Sequence, residues 1–191
     1  MIRPLYFHNP NQEGFEAIIK HLHSKNYKFI SIEELYSRLE KNDTKGKLAY
    51  ISFDDGWQGN LKLIPIIEKY NVHITIFIAV NPIMSGNFWW EFVAKKVGYT
   101  QMQNFKNLPH DEFESQLKKI KTEVADLQRS AMTIDELETI TKHPLISIQS
   151  HTINHPILTK LPDDLLDFEL SESQKQLEKI TGKSIFAFSY P

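Results

Sequence analysis

Two acidic residues stand side by side as Asp54-Asp55-Gly56, directly after an apolar segment that has the pattern of a strand. Adjacent carboxylates repel each other, so a partner must stabilise them. A divalent cation would bind one carboxylate and leave the other free to accept a proton, and the turn that Gly56 permits would bring both into one pocket. Taken alone, the same tripeptide is more often a solvated turn.

Two histidines four residues apart, His151 and His155, supply further candidate ligands after another apolar segment. On a single turn, residues at this spacing lie about 6 Å apart, which suits two ligands of one metal ion. One carboxylate and two imidazoles give three protein ligands and an open position, the composition of a catalytic zinc site. The residues thus predict a divalent metal, zinc by its ligand set, with a metal-bound water and a carboxylate base beside it.

The composition excludes several other classes of function. The chain of 191 residues has 22 Lys+Arg, 24 Asp+Glu and a formal charge of −2, so nucleic acid and anionic membranes are not expected partners. It has no cysteine, so any metal must be held by histidine and carboxylate. No apolar run reaches the ~20 residues that span a bilayer, so we expect no transmembrane segment. No export signal is visible, and the sequence predicts neither the compartment nor the oligomeric state.

Short apolar strands alternate with amphipathic helices along the chain, which predicts an α/β fold with a parallel sheet or barrel. The predicted strands cover residues 3–8, 28–31, 48–53, 74–80, 145–150 and 184–189, and the main helices cover 12–25, 32–39, 61–70 and 162–181. A further helix starts at residues 132–137, where Thr133 and Glu136 form a capping box. Residues 81–130 break this rhythm with an aromatic cluster and a polar helix, and we interpret them as a helical insertion over one rim. Both candidate motifs follow carboxyl ends of strands, where barrel enzymes build their sites.

Residues 52–56 and 150–156 resemble the first two signature motifs of the polysaccharide deacetylases, the NodB-homology or carbohydrate esterase family four. Weaker similarities extend over nearly the whole chain. The resemblance implies a distorted, incomplete (β/α) barrel in which Asp54 is the general base and Asp55, His151 and His155 bind a metal, usually zinc. The implied reaction is metal-dependent hydrolysis of N-acetyl, sometimes O-acetyl, groups on a glycan, here a surface or capsule-type polysaccharide or its precursor.

The last four residues, Phe188-Ser189-Tyr190-Pro191, match the start of the family's third motif. Ser189 stands where many members have arginine, and the later family motifs are absent. We therefore expect residues 1–191 to form an incomplete deacetylase domain, truncated at the C-terminus, with residues 81–130 inserted in it. Metal binding is a firmer expectation for this chain than turnover.

Two alternative functions fit the same residues. A glycan-binding or assembly module would keep the metal site without turnover. A metal-free glycosidase would use Asp54 and Asp55 as its acid and nucleophile, although adjacent residues at one strand end are poorly placed to flank a glycosidic bond. Trp57 and Tyr190 are candidate substrate contacts. The aromatic cluster at residues 88–92 could also stack on sugar rings, but such residues more often lie in a core.

Overall fold

A parallel sheet forms the centre of the computed structural model, which describes residues 2–191. Its five strands run in the order β1-β3-β4-β5, with β2 beside the start of β3. All the pairings between these strands are parallel, and the sheet does not close on itself within residues 2–191. The predicted α/β fold and open, distorted barrel are therefore confirmed. The strands are β1 (Ile2–Phe7), β2 (Lys28–Phe29), β3 (Leu48–Phe53), β4 (Ile74–Ile78) and β5 (Ile146–Ser150).

The two central strands, β3 and β4, are buried at every residue. Their sequences are apolar nearly throughout, as strands covered on both faces must be. Ala49, Ile51 and Phe53 belong to the main core under the helices. Leu48 and Tyr50 point to the opposite face and pack in a smaller cluster. Packing on both faces holds the carboxyl end of β3, where Asp54 and Asp55 follow, in one position.

Helices connect successive strands and cover the sheet. Thr133 Oγ1 accepts a hydrogen bond of 3.1 Å from the Glu136 N–H, and the Glu136 carboxylate accepts one of 2.8 Å from the Thr133 N–H, so the predicted capping box is confirmed. None of the helices in the described part of the chain combines the length and apolar character needed to cross a bilayer. The connecting helices are α1 (Gln12–Ser24), α2 (Ile32–Glu40), α3 (Ile64–Lys69), α8 (Ile134–Ile140) and α9 (Asp163–Thr181).

Four helices lie between β4 and α8, in the part of the chain interpreted as an insertion. They are α4 (Val80–Ser85), α5 (Trp89–Val97), α6 (Tyr99–Phe105) and α7 (His110–Glu123). The last three share a hydrophobic cluster of their own, in which the ring of Trp89 packs 5.0 Å from that of Phe113. Phe88 and Trp89 are buried, so these two aromatic residues are core residues rather than sugar contacts.

The first three residues of the helix predicted over residues 61–70 have a different form. Residues Gln58–Leu63 form a 3-10 helix, and the α-helix begins only at Ile64. Pro65 lies in the first turn of α3, where its missing N–H costs no hydrogen bond.

The strand predicted over residues 184–189 is wrong. Only one parallel bridge, between Ser150 and Phe188, joins this segment to β5. The side chain of Gln149 explains the difference, because its Oε1 accepts hydrogen bonds of 2.9 and 2.8 Å from the N–H groups of Phe186 and Ala187. Those donors are thus occupied by a side chain instead of the backbone of a neighbouring strand.

Candidate metal centre

Three buried or half-buried side chains converge at the carboxyl ends of β3 and β5. Asp55 Oδ1 lies 3.3 Å from Nε2 of His151 and 3.2 Å from Nε2 of His155. One ligand atom from each residue lies within 4.8 Å of the others. One cation can contact all three atoms at such separations, so the structure brings together the three residues that the motifs predict as ligands.

The position of Asp55 depends on a sharp turn at the end of β3. Asp55 has φ of 75° and Gly56 has φ of 93°, both in the left-handed region. A Cβ at residue 56 would lie 2.8 Å from Cδ1 of Ile78 and 3.1 Å from Cδ1 of Ile83. Glycine therefore suits this position twice: it avoids these contacts, and it tolerates the left-handed backbone. Asp55 is a non-glycine residue in the left-handed region, so its backbone is strained. The strain therefore lies at a candidate metal ligand.

The two histidines lie in a loop after β5, not on the single turn that their spacing suggested. Residues 151–157 contain no helical turn, and Thr152 and His155 have φ of 72° and 56°. The Thr152 hydroxyl accepts a hydrogen bond of 3.0 Å from the His155 N–H and stabilises this shape. The centroids of the His151 and His155 imidazole rings lie 4.8 Å apart. Hydrogen bonds between side chains and backbone bring the two histidines together, and the spacing of the residues in the sequence does not reveal such bonds.

Glu169 on α9 holds the same loop, and the sequence analysis missed it. Its carboxylate is 5% exposed and accepts hydrogen bonds of 2.9 Å from the N–H groups of both Ile153 and Asn154. The Asn154 side chain donates a third hydrogen bond of 2.5 Å. An available signal was the helical spacing of Glu169 with Leu166 and Ser173, which puts an acidic residue on the buried side of α9.

Hydrogen bonds orient two of the candidate ligands. His151 Nδ1 lies 2.9 Å from the carbonyl oxygen of Ser189, which can only accept, so Nδ1 carries the proton and Nε2 keeps a free lone pair. Trp57 Nε1 donates to Asp55 Oδ2 at 2.8 Å. The other oxygen, Asp55 Oδ1, is buried and accepts no hydrogen bond from the described residues 2–191. A buried oxygen without a donor, facing an imidazole lone pair, fits a divalent cation.

Burial and neighbouring charges set the protonation of the ligands. Burial by itself would raise the pKa of Asp55, but His151 and His155 outweigh it and hold that pKa well below its ordinary value. Burial lowers the pKa of His155 despite the opposing effect of Asp55. Both shifts favour an ionised carboxylate and a neutral imidazole, the forms that bind metal.

Asp54 has a different environment from its neighbour. Its side chain is 7% exposed, and Oδ1 accepts no hydrogen bond from residues 2–191. Burial, together with the charge of Asp55, raises the pKa of Asp54. A carboxyl with a raised pKa beside a cation-binding set is suited to accept a proton.

The two candidate substrate contacts lie in different places. Trp57 lines the cleft that contains Asp55 and His155. Tyr190 is 79% exposed, and its ring lies 5.0 Å from that of Phe188. Contact of either residue with a substrate stays a prediction.

A comparison with curated proteins gives one relative that matches most of this chain. The chain is 24% identical over 184 residues to YxkH of Bacillus subtilis, which bears the name of a polysaccharide deacetylase; the match covers 95% of this chain and 50% of the relative. The chain therefore spans half the length of that relative.

Two solved structures share the fold. The Streptococcus pyogenes deacetylase PplD in complex with acetate superposes with a TM-score of 0.68 and 20% identity, over 100% of this chain and 72% of that one. IcaB from Ammonifex degensii gives a TM-score of 0.70 and 16% identity, over 100% of this chain and 73% of that one. The family model described as polysaccharide deacetylase matches residues 41–191, so the chain belongs to the polysaccharide deacetylase family.

Proposed function

We propose that this chain carries the metal centre and general base of an enzyme that hydrolyses N-acetyl groups, or O-acetyl groups, on a surface or capsule-type polysaccharide or its precursor. Asp55, His151 and His155 would bind the metal, and zinc suits this ligand set. The observation that carries the proposal is Asp54, a buried carboxyl without a donor at Oδ1 and with a raised pKa, next to the three candidate ligands.

The residues of the chain divide the chemistry among them. A bound divalent cation supplies Lewis acidity, which polarises an acetyl carbonyl and makes water more acidic. Asp54 accepts the proton of the attacking water. The Ser189 carbonyl holds the tautomer of His151, and Trp57 fixes one oxygen of Asp55, so the ligands need little rearrangement.

Two aromatic residues would contact the glycan. Trp57 is half-buried beside Asp55, where its ring can lie against the sugar that carries the acetyl group. Tyr190 has an exposed ring one residue from Ser189, whose carbonyl accepts from His151. Aromatic rings suit the apolar faces of sugars because they bury area without needing a charged partner.

Acetate release tests the proposal. The chain is stripped of metal with a chelator, reloaded with Zn²⁺, and incubated with N-acetylglucosamine oligomers while acetate is measured. We expect release with Zn²⁺, its loss on chelation, and a reduction of at least a hundredfold in Asp54→Asn. The control His21→Gln alters an exposed histidine outside the site and keeps wild-type rates.

Two outcomes would overturn the proposal. Binding of the oligomers without acetate release would indicate a glycan-binding module instead. Acetate release that is equal in Asp54→Asn and wild type would remove Asp54 from the role of base.

A further inference from the structure

Gln149 is a buried polar residue on β5, two residues before the first candidate histidine ligand. Ile146 and Ile148 of the same strand pack in the main core, and the side chains of a strand alternate between its two faces. Gln149 therefore points to the opposite face of the sheet, where it is only 2% exposed. A buried amide costs stability unless hydrogen bonds satisfy it, so the partners of Gln149 indicate its role.

The Gln149 amide holds the C-terminal segment beside β5. Its Oε1 accepts hydrogen bonds of 2.9 and 2.8 Å from the N–H groups of Phe186 and Ala187. The Ser150 N–H donates to the Ala187 carbonyl oxygen at 3.1 Å, and the Ser189 N–H donates to the Ser150 carbonyl oxygen at 3.0 Å. These hydrogen bonds attach the segment to β5, and two of them depend on one side-chain oxygen.

The attached segment carries the acceptor that orients a candidate metal ligand. The His151 backbone N–H donates to the Ile78 carbonyl oxygen at 2.9 Å, so β4 fixes the backbone of this ligand. The ring depends on Ser189, whose carbonyl oxygen lies 2.9 Å from His151 Nδ1. His151 is 1% exposed, so bulk solvent offers its ring proton little alternative to this acceptor.

We propose that Gln149 is a positioning residue of the metal centre, which acts on His151 through Ser189. Its amide oxygen holds the C-terminal segment, the segment keeps the Ser189 carbonyl oxygen in place, and the His151 proton stays on Nδ1. The Nε2 lone pair is thereby left for the cation. Without the amide oxygen, the segment moves and the ring loses its fixed acceptor. The inference rests on the metal site of the proposed function.

Zinc affinity and the exchange of one ring proton test the inference. The wild type, Gln149→Met and Gln149→Glu are titrated with Zn²⁺ against a chromophoric chelator. Solvent exchange of the His151 Nδ1 proton is then followed by NMR in the Zn²⁺-loaded forms. Gln149→Met keeps the length of the side chain but removes the amide oxygen, so we expect about tenfold weaker Zn²⁺ binding and faster exchange. Gln149→Glu keeps acceptor oxygens and should restore both quantities towards the wild type.

A second glutamine provides a matched control. Gln174 on α9 donates from Nε2 to the Ile185 carbonyl oxygen at 2.9 Å, one residue before the donors that Gln149 holds. Gln174→Met should bind Zn²⁺ and exchange the ring proton as the wild type does. Thermal unfolding of the metal-free forms shows whether each variant folds. If Gln149→Met does not fold, Gln149→Asn carries the same test with a polar side chain too short to reach both N–H groups.

The outcomes separate the positioning role from the proposed function. Unchanged Zn²⁺ affinity or unchanged proton exchange in Gln149→Met would overturn the inference and leave the metal centre standing. Equal losses in Gln149→Met and Gln149→Glu would also overturn it, because they would result from packing and not from the acceptor. A wild type that binds no Zn²⁺ would overturn the proposed function together with the inference. The expected pattern without acetate release by any form would support the inference and reject only the deacetylase function.

Discussion

Trp57 donates its indole hydrogen to Asp55 across only two residues of chain, at 2.8 Å, and so leaves one carboxylate oxygen facing His151 and His155. The residue that orients this candidate ligand thus follows directly after the first motif. Loss of a hydrogen bond to a metal ligand commonly lowers metal affinity by about 10–100-fold.

Replacing the donor while keeping an aromatic ring should weaken metal binding. We expect Trp57→Phe to reduce the Zn²⁺ affinity by about tenfold, because Asp55 Oδ2 loses its donor and the carboxylate can rotate. Competition with a chromophoric chelator measures the change. The matched control Trp90→Phe keeps the ring beside His155 and should bind Zn²⁺ as the wild type does. Equal affinities of Trp57→Phe and wild type would contradict the orienting role.

Metal should stabilise the folded chain through the same three residues. At a free Zn²⁺ concentration 100 times the Kd, binding adds about 2.7 kcal/mol to the free energy of unfolding. Thermal unfolding with and without Zn²⁺ measures the shift, and a chelator should reverse it. The shift should be lost in His155→Ala but kept in His21→Gln. A shift that persists in His155→Ala would place the binding elsewhere.

Loss of the Glu169 carboxylate should destabilise the histidine loop. Glu169→Ala leaves the buried N–H group of Ile153 and that of Asn154 without their acceptor, so we expect a loss of about 2–4 kcal/mol in the free energy of unfolding. Urea unfolding of the metal-free chain measures it. Glu172→Ala, on the same helix, removes only surface partners and should cost about 1 kcal/mol or less. Similar losses in the two variants would argue against a special role for Glu169.

Tyr50 should make the fold sensitive to alkaline pH. Burial, with a smaller contribution from the charges of Asp54 and Glu33, raises the pKa of Tyr50 to about 12. The folded state therefore holds its proton above pH 10, where an unfolded tyrosine loses it, and stability falls as pH rises from 10 to about 12. Tyr50→Phe removes this loss of stability, which amounts to about 2–3 kcal/mol in the free energy of unfolding between pH 10 and about 12.

Urea unfolding at pH 9, 10 and 11 compares the slopes of stability against pH. Tyr50→Phe should also cost little stability at neutral pH, since the buried Tyr50 hydroxyl makes no hydrogen bond within the part of the chain that the structure describes. Tyr99→Phe, at an exposed site, is the control, and its free energy of unfolding should fall with pH as that of the wild type does. Parallel slopes for Tyr50→Phe and wild type would contradict the prediction.

Much of the scaffold follows from local patterns in the sequence. The apolar run at residues 48–53 gave the bounds of β3, and the Thr133–Glu136 spacing predicted the capping box of α8. These features depend on residues close in sequence, so periodicity and capping rules are enough to find them.

The parts that sequence patterns missed depend on distant side chains. Gln149 occupies the backbone donors of Phe186 and Ala187 and replaces a predicted strand with a single bridge. Glu169 shapes the histidine loop from 15 and 16 residues away. Neither spacing nor propensity records which buried polar atom meets which backbone group, so only the folded arrangement shows these contacts.

Glu91 joins the two ends of the segment that contains α5, α6 and α7, because its carboxylate accepts hydrogen bonds from the Phe88 N–H and from the Ser130 hydroxyl. With Phe88 and Ser130 joined at the base, a change in the length of residues 99–123 would leave these two points in place. The Trp89 indole donates a hydrogen bond of 3.0 Å to the carbonyl oxygen of His155, so a shift of α5 would instead be transmitted to the histidine loop.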